Sequence, residues 1–156
     1  GTSFHVFLPL PETPSALIGT PVAPMGLALK LGRMSARPLQ VLLVEDNALV
    51  TATFTALLET AGHVVTATQD GEEGWGMFNR QGGKFDVVLA DYNMPRLNGG
   101  DLLRRIKATN FAGRVVIVSG YLDHDKFDEL TRLGADAVLR KPLTPAKLLM
   151  AMEGAE

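Results

Sequence analysis

A doubly wound α/β fold built on a five-stranded parallel sheet is predicted by three features of the sequence. From residue 38 onward, short unbroken apolar runs alternate with stretches of helical period. Glycines stand where helical stretches stop, as at Gly62 and Gly134. The runs end, on their carboxyl side, in polar residues: Glu45-Asp46 after the first, Asp91 after the third and Lys141 after the fifth.

The runs at 39–44, 64–67, 85–90, 115–118 and 137–139 are continuous, as in strands covered on both faces of a parallel sheet. Between the first two, Val50, Phe54, Leu57, Leu58 and Ala61 recur at helical spacing. The stretch 70–80 is a poorer helix, since Gly71, Gly74 and Gly76 each cost up to about 1 kcal/mol against alanine. Leu102, Leu103 and Ile106 mark a third helix, and Phe127, Leu130 and Leu133 a fourth. Five strand-helix pairs joined by right-handed crossovers leave few topologies, of which the flavodoxin-like order 2-1-3-4-5 is the common one at this size. That order makes strands 1 and 3 neighbours at the topological switch point, so Glu45, Asp46 and Asp91 are expected to converge at their carboxyl ends.

The 156 residues have room for one ordinary core, and 46% hydrophobic with 21% charged content is that of a globular domain. There is no cysteine, which excludes disulfides, thiolate catalysis and thiolate metal sites. No apolar stretch reaches the roughly 18 residues of a membrane span, and the N-terminus lacks the pattern of a signal peptide. The net charge of −2 divides into +2 over residues 1–37 and −4 over residues 38–156. Neither part carries a basic stripe with interleaved aromatics, so no nucleic-acid contact is expected. A cytoplasmic location without membrane contact is expected for this segment, with membrane association of a parent protein left open.

The pentapeptide Asp91-Tyr92-Asn93-Met94-Pro95 follows the run Val87-Val88-Leu89-Ala90 and puts one carboxylate at the exit of a buried strand, a candidate phosphoacceptor. Together with Glu45, Asp46, Ser119, Lys141, Asn98-Gly99 and Gly134-Ala135-Asp136, it resembles the receiver domain of two-component response regulators over roughly residues 38–152. The resemblance implies that Asp91 takes a phosphoryl group from a phosphohistidine, with Lys141 and Ser119 contacting it. It also implies a magnesium ion held by Asp46, Asp91 and the backbone carbonyl of Asn93, with Glu45 acting through water where aspartate is the commoner residue. Three close carboxylates need such a cation, and magnesium prefers oxygen ligands. Lys141-Pro142 is a candidate cis peptide. Ser119, Asn93, Tyr121 and Val138 fall where the family tunes hydrolysis and switching. Val138 stands in an aromatic position, and its restricted χ1 implies a muted switch.

Ahead of this region, Gly1-Thr2-Ser3-Phe4-His5-Val6-Phe7-Leu8-Pro9 is similar to the end of a histidine-kinase ATP-binding domain. Residues 1–10 are therefore expected to be its last strand, or else a tail. Residues 11–37, with four prolines and three glycines, read as a linker, and 38–156 as the receiver domain. The implied partner is a histidine-kinase dimerisation domain or a histidine phosphotransfer protein, within a hybrid histidine kinase. Other readings are a stand-alone regulator, a pseudo-receiver that only binds partners, and a phosphatase of the haloacid dehalogenase type. The last needs an aspartate where Asn93 stands. His5, His63 and His124 read as structural, Asp70, Asp86 and Asp136 as turn and cap residues, and the acidic group Asp123, Asp125, Asp128 and Glu129 as a solvated helix face.

Overall fold

In the computed structural model, residues 37–154 are described. They form β1 (Gln40–Val44), α1 (Ala48–Thr60), β2 (Val64–Thr68), α2 (Gly71–Arg80), β3 (Val87–Asp91), α3 (Gly99–Lys107), β4 (Arg114–Ser119), α4 (His124–Arg132), β5 (Ala137–Arg140) and α5 (Pro145–Glu153). The sheet is parallel throughout and runs β2-β1-β3-β4-β5, as the sequence predicts. The expected strand at 1–10 and linker at 11–37 lie outside the described residues, except Arg37. No helix among the described residues is long and apolar enough to cross a membrane.

Successive residues of the inner strands point to opposite faces, and both faces are covered. Leu42, Val44, Val88, Ala90, Val115 and Ile117 pack with Phe78, Leu102, Leu103, Ile106 and Leu130, under α2, α3 and α4. Val41, Leu43, Val87, Leu89, Val116 and Val118 pack with Leu58, Leu148, Leu149 and Met152, under α1 and α5. Each such side chain contributes roughly 1.5–3 kcal/mol of apolar transfer. This double burial is why the runs are unbroken. The edge strands differ: Val64 of β2 is exposed, and no residue of β5 is fully buried.

Each of these five helices starts on a side-chain cap. Asn47, Asp70, Asn98, Asp123 and Thr144 each accept from one or two backbone N–H groups in the first turn. Asp70 thus serves the expected cap, whereas Asp123 caps α4 and does not simply belong to its solvated face. Phe127 corrects the reading of α4: it lies at helical spacing with Leu130 but is exposed, because α4 sits over the β4–β5 edge of the sheet and only Leu130 is buried. His63 is buried as a structural residue, its Nδ1 accepting from the Leu39 N–H at 3.3 Å. At the amino end of the sheet, Asp86 pairs with Arg37 at 2.5 Å and accepts from the Gln40 N–H at 2.8 Å. The Arg37 hydrogen bond, helped by Gln40, holds the Asp86 carboxyl below the usual carboxylate range.

Packing explains Gly74 of α2. A Cβ at Gly74 would lie 2.8 and 2.9 Å from the two methyl groups of Val44, a fully buried β-branched residue with no room to yield. Gly74 therefore lets α2 approach β1, beside the strand end that carries Glu45. Gly76 meets nothing within 4 Å. Two alanine substitutions in one helix should accordingly have opposite signs in thermal or urea denaturation. Gly74→Ala is expected to destabilise by about 1–3 kcal/mol through overpacking, and Gly76→Ala to stabilise by up to about 1 kcal/mol. Equal effects of the two would contradict this account of α2.

Candidate functional site

Parallel pairing in this order delivers the ends of β1, β3, β4 and β5 to one edge of the sheet. Glu45 follows β1 directly, Asp91 is the last residue of β3, Ser119 the last of β4, and Lys141 follows β5. Asp91 pairs in register with Val118, and the Lys141 N–H donates to the Ser119 carbonyl at 2.8 Å. The Lys141-Pro142 peptide is cis. The start of α3 closes tightly over the site: the Gly99 N–H donates to the Tyr92 carbonyl at 3.0 Å, and a Cβ at Gly99 would lie 2.4 Å from the Asp91 carbonyl oxygen.

Carboxylate oxygens of Glu45, Asp46 and Asp91 all lie within 4.8 Å of one another. Glu45 and Asp91 are buried and Asp46 is exposed at the rim. Lys141 Nζ bridges the buried pair, 2.9 Å from Glu45 Oε2 and 3.2 Å from Asp91 Oδ2. Asp91 Oδ1 is buried and has no hydrogen-bond partner among the described residues. An orphaned carboxylate oxygen in such surroundings is costly unless something outside the chain takes it.

Burial pushes the Glu45 carboxyl above its usual range, and the charge of Asp91 adds to this while Lys141 opposes it. For Lys141, burial acts downward and is the largest single effect. The hydrogen bond to Glu45 and the charges of Asp91 and Glu45 together outweigh it, so the ammonium is held above its ordinary value. One lysine, firmly charged, does not discharge two buried carboxylates and a third at the rim. The donor set is all oxygen, and with its unpartnered atom it fits a hard divalent cation.

Ser119 is fully buried. Its hydroxyl donates to the Tyr121 carbonyl at 2.9 Å and accepts from the Tyr121 N–H and from Asn93 Nδ2, each at 3.3 Å. The Tyr121 side chain is exposed. Val138 pairs with Ile117 and packs, half-buried, against the α2–α4 side of the core. The structure thus brings Glu45, Asp46, Asp91 and Lys141 together directly. Asn93 and Ser119 meet each other beside them, while Tyr121 presents its backbone to Ser119 and its ring to solvent.

Three contributors escaped sequence reading. Asn47, and not the acid pair, caps α1, and its N–H lies 3.4 Å from Glu45 Oε1. Thr51 Oγ1 donates to the Glu45 carbonyl at 3.2 Å. Arg96, in the left-handed region at φ 66°, pairs with Asp70 and ties the loop after Asp91 to the start of α2. Asn47 had a signal, an Asn just ahead of a helical stretch. Nothing local in the sequence marks Arg96.

The model of the response regulator receiver domain family matches residues 41–153. A gliding motility regulatory protein of Myxococcus xanthus is 38% identical over 109 residues, 69% of this chain and 14% of that protein. The sensor kinase CckA of Brucella abortus is 31% identical over 151 residues, 95% of this chain and 16% of that one. The chain therefore spans about one seventh of the length of these relatives. A response regulator receiver domain protein from Clostridium thermocellum superposes with a TM-score of 0.71 at 32% identity, over 75% of this chain and 93% of its own. Sheet order, acid cluster and sequence relationship agree over the same stretch, and the chain belongs to the response regulator receiver domain family.

Proposed function

We propose that this domain is a phosphorelay station in which Asp91 accepts a phosphoryl group from a phosphohistidine and holds it as an acyl phosphate. The observation that carries the reading is the pairing of Asp91 Oδ2 with Lys141 while Oδ1, buried beside it, has no partner. A carboxylate so placed keeps lone pairs available for attack and has a fixed cation at hand. As its oxygen bonds to phosphorus, the P–N bond to the donor imidazole breaks and the imidazole leaves with the bonding pair. Such transfers ask the protein chiefly for alignment and for neutralisation of the phosphoryl oxygens. Lys141 would contact one of these oxygens. Ser119 would contact another by releasing its hydroxyl from the Tyr121 carbonyl, and Asn93, Tyr121 and Val138 would tune hydrolysis and the structural response.

Magnesium would be held by Asp46, Asp91 and the Asn93 backbone carbonyl, with Glu45 acting through water, and when bound it neutralises a phosphoryl oxygen. The partner would be a histidine-bearing dimerisation domain or phosphotransfer protein. A hybrid histidine kinase as parent is supported by the CckA alignment, which at 151 residues reaches beyond the matched 41–153, and by the motif at residues 1–9. A stand-alone regulator is the alternative, since a cell cycle transcriptional regulator of Caulobacter vibrioides, 32% identical over 107 residues that make up 44% of its length, is also among the relatives. A pseudo-receiver is the weaker reading, because Asp91 and Lys141 are both present and in contact.

Incubation with magnesium and acetyl phosphate, followed by mass spectrometry of the intact chain, should show a single phosphoryl adduct that Asp91→Asn abolishes. Equal labelling of that variant would remove Asp91 from the role. For the parent protein, sequencing the gene upstream of residue 1 should reveal the remainder of an ATP-binding domain and a histidine-bearing helical segment. A start codon immediately upstream would favour the stand-alone regulator.

A further inference from the structure

We infer that Asp70 and Arg96 are positioning residues for the metal: their ion pair fixes the loop that carries the Asn93 carbonyl against the start of α2, and so sets how tightly magnesium binds. This rests on the reading of that carbonyl and of Asp91 as magnesium ligands, and concerns two residues outside the ligand set.

The loop between β3 and α3 is tied at its ends by the backbone. The Tyr92 N–H donates to the Val118 carbonyl at 2.7 Å, and the Gly99 N–H to the Tyr92 carbonyl at 3.0 Å. Between them the chain turns through Arg96 at φ 66°, a conformation that a residue with a Cβ seldom adopts and keeps only where its surroundings hold it. The surroundings are supplied by α2. Arg96 pairs with Asp70 Oδ2, and at the next residue of each segment a Cβ on Gly71 would clash with the Leu97 carbonyl.

Asp70 is built to hold its end of this clamp. It is buried, and its Oδ1 accepts from the Glu72 and Glu73 N–H groups at 2.9 Å each, which leaves Oδ2 for the guanidinium. The start of α2 is itself seated, by Gly74 against Val44 of β1 and by Glu72, which pairs with Arg105 of α3 at 3.1 Å. The loop is thereby referred to the same strand that leads into Glu45 and Asp46. A ligand atom on a loop already held in place spares the bound ion the cost of ordering it. Asp70 and Arg96 act on the metal through that loop and without touching it.

Calorimetric titration of the full chain with magnesium, set beside two single variants and their combination, tests the clamp. Asparagine caps a helix as well as aspartate does, so Asp70→Asn keeps the start of α2 and removes the charge that Arg96 needs. Both Asp70→Asn and Arg96→Gln should raise the magnesium Kd about threefold or more, the scale of coupling between groups in contact. The two substitutions change the net charge in opposite directions, so an effect of charge at a distance would move the two affinities apart. The double variant, which restores the net charge, should bind about as weakly as either single one. In the metal-free chain, amide hydrogen exchange followed by NMR should quicken at Leu97 and Gly99 in both variants while Val88 and Leu89 keep their rates. Opposite shifts in magnesium affinity, recovery in the double variant, or unchanged exchange at Leu97 and Gly99 overturns the inference. Failure of the metal reading would appear differently, as no saturable binding by the unsubstituted chain, and the exchange rates alone would then decide the clamp.

Discussion

The structure turns on an uncompensated charge. A parallel sheet brings Glu45, Asp46 and Asp91 within 4.8 Å of one another and offers Lys141 as the cation in contact with the two buried ones. Burial, with the charge of Asp91 beside it, raises the Glu45 carboxyl above its usual range. The orphaned Asp91 Oδ1 belongs to the same imbalance. A site built this way is incomplete until it is given positive charge or an electrophile, and the proposed chemistry supplies both.

Much of the fold exists to keep these groups from separating. Two apolar layers clamp the inner strands, so Asp91 ends a strand that cannot slide without exposing Val87, Val88, Leu89 and Ala90. Gly74 and Gly99 let α2 and α3 press on the ends of β1 and β3. Arg96 links the loop after Asp91 to Asp70, the cap of α2. These contacts limit how far the carboxylates can retreat from each other.

The order of the strands and the convergence of Glu45, Asp46, Asp91 and Lys141 were legible because unbroken apolar runs, crossover handedness and strand-end acids each speak for themselves in one dimension. What was not legible depends on packing between distant segments. Gly74 looks like a weak helix residue until Val44 is seen against it. Phe127 shares the spacing of Leu130 yet faces solvent, because periodicity gives a helix its stripe without saying how wide a neighbour covers it. Arg96 and Asp70 are 26 residues apart, and no local rule pairs them. The contact of Lys141 with Glu45 needed a distance, since the resemblance gave Glu45 only a role through water.

The central claim is that this acid cluster awaits a divalent cation, and calorimetric titration with magnesium tests it most directly. The account predicts saturable binding of one ion per chain, weakened severalfold or more in Asp91→Asn, with a thermal midpoint that rises with magnesium concentration as binding to the folded state requires. Absence of saturable binding, or binding of equal strength in Asp91→Asn, would contradict it.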